Sequence, residues 1–589
     1  MRSRPLAPSR RTTALVAGVL AVSLLAAGCG GTKEGAKKGG EKLADKELDA
    51  AAGESGLAKA GEPKRGGKLV YGLEADTGGG FCLSEGQLAI SGMMVVRAVY
   101  DTLTVPNSKG DYVPYLAKAI THNDDYTEWN IELRDGVKFH DGSPLTAQVV
   151  KNNLDAYRGV YPGRSSLLFL FVLANIDKVD AVDDLDVKVT TKKPWVAFPS
   201  YLYSSSRLGI MAQAQLDSKD DCATKPIGTG PFVFQSWTPN QKFDAKRNPD
   251  YWQIAPDGKP YPYADSIEFR PIVDGTVRDN ALESGDVNIA HTSDAKDIGT
   301  KLLDLRDAGK LNMMVSEAEG EVTFTQLNHT KAPFDDLRMR QALAKAVDND
   351  ALNQVMNNGL PTVAIGPFAP DSVAYVKDTG FPTYDLAGAK ELVAAYEKDG
   401  KKAEFTLEGT TDASTKRLAE LIQQRAEAAG MTVKIVLRDQ AALINDAIGK
   451  KYQAALFRNF PGGDPDSNYV WWYSGTTTDG KFSPNLVNFA GFRDDEVDKL
   501  LDEGRSEPDP AKRKAIYQDL NKRMATQVHG AWSWYTPWAV VEGADVHGIL
   551  GPPLPGPDAS KPTADDDADL QPSRGLATGH SLLGLWVAR

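Results

Sequence analysis

The chain has 589 residues, a formal net charge of −12, 41% hydrophobic and 25% charged residues, and three Cys. A single hydrophobic core stops growing beyond roughly 250–300 residues, so two or more lobes are expected. The acidic balance argues against nucleic acid as a partner, which usually needs a basic face.

Arg2, Arg4, Arg10 and Arg11 precede an apolar run from about Thr13 to Ala27. Crossing a bilayer takes about 20 apolar residues, so the run reads as a secretory signal and not as a membrane span. The segment Leu25-Ala26-Ala27-Gly28-Cys29 resembles the lipobox of bacterial lipoproteins. That resemblance implies cleavage before Cys29 and lipid on its sulfur; an ordinary signal peptide is the alternative. Residues 1–28 carry four Arg and no acid, so their removal takes the formal charge from −12 to −16. No later apolar run is long enough to span a membrane. Residues Gly30 to about Gly66 are rich in Gly, Lys, Glu and Ala and have almost no large apolar side chains. Such a segment cannot bury enough surface to fold alone. It reads as a tether of about 30–35 Å root-mean-square span.

Order is expected from the strand-like Lys68-Leu69-Val70-Tyr71. Trp129, Ile131 and Leu133 alternate with polar residues, which predicts a strand with one apolar face. Arg134-Asp135-Gly136 turns the chain, and Val137 and Phe139 continue the alternation, so a hairpin is expected. Asp141-Gly142-Ser143-Pro144 turns again before a helix from about Thr146, with Val149, Val150 and Leu154 on one side. Gly and Pro density in Pro226-Ile227-Gly228-Thr229-Gly230-Pro231-Phe232 marks a shaped turn. Its spacing fits neither a Walker A loop nor a dinucleotide fingerprint. In the second half, Asp335 and Asp336 can cap a helix that presents Leu337, Leu343, Ala346 and Val347. Helices near 386–396 and 415–429 flank the strands Phe405–Leu407 and Val433–Leu437, a βαβ pattern that predicts a mixed α/β lobe. Gly551 to about Pro572 reads as irregular, and Ser581 to Val587 is apolar enough to dock back on the body.

The seven His show no metal-ligand spacing, and neither HExxH nor CxxC occurs, so neither a metal nor another cofactor is expected. His140 reads as a turn or core residue. Leu456 to Asp466 is a poor helix or strand former that combines Arg458, Asn459, Phe460, Asp464 and Asp466, followed by Tyr469, Trp471, Trp472 and Tyr473. Aromatics with a few placed polar groups suit a binding pocket; the alternative is a surface loop backed by a packed aromatic helix. Core packing is the reading for Trp532, Trp534, Tyr535 and Trp538, with a cleft wall as the alternative. Arg278 and Arg493 could bind anions, but solvated or salt-bridged surface roles are the reading. With Cys29 lipidated, Cys82 and Cys222 remain and could pair in an oxidising envelope; two buried thiols are the alternative.

Taken in order, Tyr100-Asp101-Thr102-Leu103, Pro114-Tyr115-Leu116-Ala117, the stretch from Trp129 through GVKFHDGSPLTA, PIGTGPF, Asn248-Pro249-Asp250-Tyr251-Trp252, Pro333-Phe334-Asp335 with Arg338, Arg340-Gln341-Ala342 and Asp348, and Gly463-Asp464-Pro465-Asp466 resemble the peptide-class solute-binding lipoproteins of bacterial ABC importers. The resemblance covers roughly residues 67–550. It implies two α/β lobes that close on a solute, in the periplasmic-binding-protein-like (Venus-flytrap) manner, with an extra domain. The expected boundaries are 1–28 signal, 29–66 lipidated Cys and tether, 67–100 with 196–290 and 541–589 as the first lobe, 101–195 as the extra domain, and 291–540 as the second lobe. Ligand contacts are implied at Leu88-Ala89-Ile90-Ser91, so Ile90 and Ser91 join the candidate site, although helix packing is an equal reading there. In the peptide-binding members a carboxylate a few residues before the Asp-Pro pair holds the peptide amino terminus. Here Pro461 or Gly462 takes that place, so Asp464 or Asp466 would have to substitute. The implied partners are a peptide or small-molecule solute, an ABC permease and a membrane reached by the lipid anchor. The implied protein is a monomer and not an enzyme. A regulatory lipoprotein of the same fold with no ligand is the alternative, and a secreted hydrolase, for which paired carboxylates could serve, a more distant one.

Overall fold

The computed structural model describes residues 61–588 apart from 78, 87, 460, 461, 479, 480, 562, 564–566 and 568. The signal, Cys29 and most of the tether lie outside the described residues. The chain builds β1 (Lys68–Leu73) and α1 (Ile90–Val99), then β2 (Ala117–His122), β3 (Glu128–Leu133), α2 (Ala147–Tyr157), β4 (Ile176–Ala181) and β5 (Asp186–Thr191). It returns through β6 (Phe232–Thr238), β7 (Lys242–Arg247), β8 (Ser266–Pro271), α3 (Gly275–Ser284) and β9 (Ile289–Thr292) to the long strand β10 (Leu311–Leu327). Next come α4 (Leu337–Ala346), α5 (Leu386–Lys398), β11 (Glu404–Thr410), α6 (Ala413–Ala428), β12 (Thr432–Arg438) and β13 (Ala454–Arg458). The short α7 (Tyr469–Trp472), α8 (Asp495–Ser506) and α9 (Pro510–Thr526) lead to a second long strand, β14 (Gly530–Gly543), and to the small pair β15 (Val546–His547) and β16 (Trp586–Val587).

One ten-stranded sheet, in the order β12-β11-β13-β10-β14-β9-β1-β8-β7-β6, runs through the molecule. Among the described residues, its two halves meet along β10 and β14. Leu311–Ser316 pair with Trp538–Gly543, and Glu321–Gln326 pair with Gly530–Thr536. Between the runs the register shifts, and Glu319 takes a left-handed φ of 51°. Residues on both sides of the expected boundary at 290/291 pack together. Leu282, Val287 and Ala290 share a core cluster with Ile298, Leu302, Leu311, Met313, Val315, Ala539 and Val541. The register shift falls between Ser316 and Glu321, opposite Thr536 to Trp538.

Strands β2-β3-β5-β4 form a separate four-stranded sheet. The expected hairpin of 129–133 with 137–139 does not form. β3 pairs with β2 and β5 instead, and residues 137–145 fold back on themselves, with Phe139 N–H donating to Ser143 O (2.8 Å) and Leu145 N–H to Val137 O (2.9 Å). Alternation fixes which face of a strand is buried but not which neighbour it takes. Trp129, Ile131 and Leu133 are buried as expected. Thr146 caps α2, and Asp336 caps α4. β11, α6 and β12 form the expected parallel βαβ unit, with Gly430 ending α6 at φ 98°.

The loudest motifs meet at one residue. Asp101, from the Tyr100-Asp101-Thr102-Leu103 motif, accepts from Thr229 Oγ1 (2.9 Å) of the Gly-rich turn and from Tyr251 OH (3.1 Å) and Trp252 Nε1 (2.9 Å) of the NPDYW segment. Burial pushes its carboxyl up to about 6, against these three donors. In the same turn, a Cβ on Gly228 would stand 2.1 Å from Val99 O, and one on Gly230 2.6 Å from it. His140 Nε2 reaches Gly230 O (2.9 Å), a structural role as expected. A disulfide joins Cys82 and Cys222, whose Cα atoms are 4.9 Å apart. At the carboxyl end Leu582, Leu583, Leu585 and Trp586 are buried, and β16 pairs with β15.

Candidate functional site

β13 delivers the loop expected to bind. Its last residue, Arg458, faces the other half of the molecule. Arg458 Nη1 donates to Ser293 Oγ (2.8 Å), and its guanidinium lies 3.4 Å from Glu321 and 3.8 Å from Glu74, over the ring of Trp538 (5.4 Å). Glu74 also accepts from Ser293 N–H (2.7 Å) and pairs with Arg278 (3.4 Å). Burial pushes the Glu74 carboxyl up, but Arg278 and Arg458 hold it below the ordinary range. Burial dominates at Glu321 and raises it, although Arg458 and Trp538 Nε1 (3.1 Å) oppose the shift. Arg458 thus joins the halves. Arg278 is buried in the same network rather than at the surface, while Arg493 stacks over Phe482 (4.4 Å) in the open.

The carboxylates expected to hold a solute are already engaged. Asp464 caps a short turn through Asp466 N–H (2.8 Å) and takes a two-pronged pair from Arg513, at 2.6 and 3.0 Å. Asp466 is fully buried; it accepts from Arg505 Nε (3.0 Å), Trp195 Nε1 (2.9 Å) and Tyr517 OH (3.3 Å). Both carboxylates, expected as solute contacts, are engaged by partners within the chain in this structure. Both sit behind the loop because their donors come from α8, α9 and the segment near Trp195, none of which sequence spacing could bring together. Asn459 donates from Nδ2 to Asn468 Oδ1 (3.0 Å), so it braces the loop internally. Phe460 lies outside the described residues. Ile90 and Ser91 form the first turn of α1 and not an extended edge: Ile90 is core, and Ser91 Oγ bonds Ala75 N–H (3.1 Å) and His291 Nε2 (3.2 Å).

Of the expected residues, Trp471, Arg458 and Asn459 border open space. Trp471 borders two cavities. One, a narrow cleft, lies between the halves and has Tyr112, Ser204, Ser205 and Arg207 on one wall and Gly462, Ser467 and Trp471 on the other. The second is narrow and lies among Phe457, Arg458, Asn459, Trp471, Phe489 and Trp532. Trp534, Tyr535 and Trp538 are core residues, and Trp532 is both core and cavity wall. Among the described residues no group of three His, Cys, Asp or Glu side chains is placed to hold a metal.

Sequence reading missed Ser204 to Arg207. Ser204, Ser205 and Ser206 have φ values of 46°, 55° and 68°. For L-residues each costs roughly 1–2 kcal/mol, and such strain concentrates where a site needs it. The one visible trace in the sequence is a run of three Ser before a single Arg, which no propensity rule marks as left-handed.

Comparison with known proteins fits this architecture. The family model "Bacterial extracellular solute-binding proteins, family 5 Middle" matches residues 111–481. A glutathione-binding protein, GsiB, of Pectobacterium atrosepticum is 29% identical over 437 residues, covering 73% of this chain and 81% of that protein. The structure of DppA from Helicobacter pylori with the peptide STSA superposes with a TM-score of 0.76 at 21% identity, covering 89% of this chain and 99% of the other. AgaA of A. tumefacien R10, in complex with agropinic acid, gives 0.73 at 25% identity, again covering 89% and 99%. The fold is therefore the two-lobed α/β fold of these binding proteins, and the chain belongs to the family 5 bacterial extracellular solute-binding proteins.

Proposed function

We propose that this protein is an extracytoplasmic, lipid-anchored receptor that captures a peptide or other polar organic solute and hands it to the permease of an ABC importer. The observation that carries the reading is the cleft walled by both halves of the molecule, which are linked along β10 and β14. A solute there touches both walls, so it favours closure by as much as it binds the closed form better than the open one. The relatives bind glutathione, a peptide and agropinic acid, all of them small polar organic molecules. Lipid at Cys29 and a tether to about residue 66 would hold the body at the membrane, consistent with the lack of any helix among the described residues long and apolar enough to cross one. We assign 67–100, 196–316 and 537–588 to the first lobe, 317–536 to the second and 101–195 to the extra domain, on the strength of the sheet crossing. The protein is read as a monomer that binds without catalysis.

The test is a thermal-shift series on the full chain, stripped of solute by unfolding and refolding, against peptides, glutathione, sugar-acid conjugates and oligosaccharides. Binding to the native state alone raises stability by about 2.7 kcal/mol at a hundredfold excess over Kd, a clear upward shift for at least one class. No shift with any class would contradict solute capture and favour a lipoprotein that acts through protein contact.

A further inference from the structure

We propose that the carboxyl-terminal segment is a strap that restrains the parting of the two lobes, with Ser573 and Gly575 gripping Glu319 at the register shift between β10 and β14. On the lobe assignment proposed above, on which this rests, the chain bends there.

Two described stretches, 552–557 and 569–583, make the strap. The first holds Pro552, Pro553, Pro555 and Pro557. Proline fixes φ and offers no N–H, so such a run is stiff and leaves its carbonyls to be met by other groups. Arg134 of the extra domain meets them: Nη1 donates to Gly556 O (2.9 Å) and Pro557 O (3.2 Å), and the guanidinium lies over the ring of Trp252 (5.2 Å). Leu554 is buried beside Val105 and Tyr203. The second stretch is stitched to the same domain, with Asn107 Nδ2 donating to Asp569 O (3.0 Å) and Ser108 N–H to Gln571 O (2.8 Å). It then reaches the bend. Ser573 Oγ donates to the Glu319 carboxylate and accepts from Gly575 N–H (3.0 Å). Gly575 lies so close that a Cβ on it would stand 2.6 Å from Glu319 Cδ. Glu319 is buried in its left-handed backbone, and its own N–H donates to Asp371 Oδ2 (2.8 Å). A Cβ on Gly463 would stand 3.4 Å from both Glu319 Cδ and Tyr112 OH. The strap, the extra domain and the loop of the second lobe thus converge on one side chain. Beyond it the strap ends in the first lobe, where Arg97 Nε donates to His580 O (2.9 Å) and Leu582 and Leu585 join the core. A stiff segment anchored at three places holds the bend more firmly than two strands whose ladder is interrupted there.

The experiment is amide hydrogen exchange on the full chain, refolded free of solute and read by mass spectrometry of its peptides. The reporter is Asp466 to Val470, in the second lobe beside the cleft. Trp195 Nε1 (2.9 Å) and Tyr201 OH (2.6 Å) reach Asp466 from outside that lobe, so parting of the lobes breaks these bonds and frees the amides near them. Ser573→Ala, and separately Gly575→Ala, should speed exchange there about fivefold, the factor that one lost hydrogen bond makes in an opening equilibrium. Lys561→Ala removes only an exposed pair with Asp558 (2.9 Å) and should change nothing at the reporter. Faster exchange confined to the strap and to 317–321, or none at all in Ser573→Ala, would overturn the strap and leave solute capture standing. A failed solute series together with faster exchange at Asp466 to Val470 would do the reverse.

Discussion

Asp466 shows how a residue that looks like a ligand becomes a strut. Its carboxylate has no exposure and takes donors from Arg505, Trp195 and Tyr517, while Arg505 also stacks 3.5 Å from the ring centre of Tyr469. Removing one partner of a buried pair strands the other charge, so Asp466→Asn should lower unfolding stability by about 3–5 kcal/mol, read from urea denaturation. Asp464, partly exposed beside Arg513, should cost distinctly less when changed to Asn. Equal, small effects at both positions would contradict the strut assignment. Glu542 on β14 is the opposite case. It is fully buried, neither carboxyl oxygen has a hydrogen-bond partner among the described residues, and burial holds its proton far above the ordinary range. Below about pH 4 both folded and unfolded chains carry that proton. As pH rises through the ordinary Glu range the unfolded chain releases it while the folded chain keeps it, so stability falls with rising pH. Glu542→Gln removes this effect, and its stability relative to the parent should grow between pH 4.5 and 8. A pH-independent difference would show that the carboxyl is neither proton-bound nor isolated.

At the scale of elements, the Gly-rich turn is structural because Val99 O approaches where a side chain would begin. Gly228→Ala would force a backbone carbonyl aside and should destabilise by several kcal/mol, as overpacking of a rigid contact does, without changing solute preference in the protein that still folds. A stable Gly228→Ala with altered ligand choice would return this turn to the binding site. Legibility from sequence divided along a physical line. Strands with one buried face, capped helices and the βαβ unit were readable, because periodicity, Asp336 and Gly430 are local signals. Pairing was not: β3 took β2 and β5 because partner choice is a property of the whole sheet. For the candidate site, the aromatic setting of Trp471 was readable, whereas the pairing of Asp464 with Arg513 and of Asp466 with Arg505 was not, because those partners lie 49 and 39 residues away. Arg207 was missed because left-handed serines leave no compositional trace.

For the molecule as a whole, closure is a question of what spans the gap between the halves. Two strands, β10 and β14, carry the covalent link, and the shifted register near Glu319 gives the place to bend. The carboxyl-terminal segment lies against this crossing: Ser573 Oγ bonds the Glu319 carboxylate, and His580 Nε2 meets Tyr71 OH at 3.0 Å. Across the gap stand Arg458 with Ser293, Glu74 and Glu321, and Arg207 opposite Ser467. The first set holds the walls together through the protein's own charges; the second lines the cleft between them. The central claim is that a solute occupies this cleft, and native mass spectrometry of the gently purified full chain, before and after unfolding and refolding, tests it most directly. The account predicts a population heavier than the chain by the mass of a small polar organic solute, lost on refolding and regained when that solute is added back. A single species at the mass of the chain alone, unchanged by refolding and by every solute added, would contradict it.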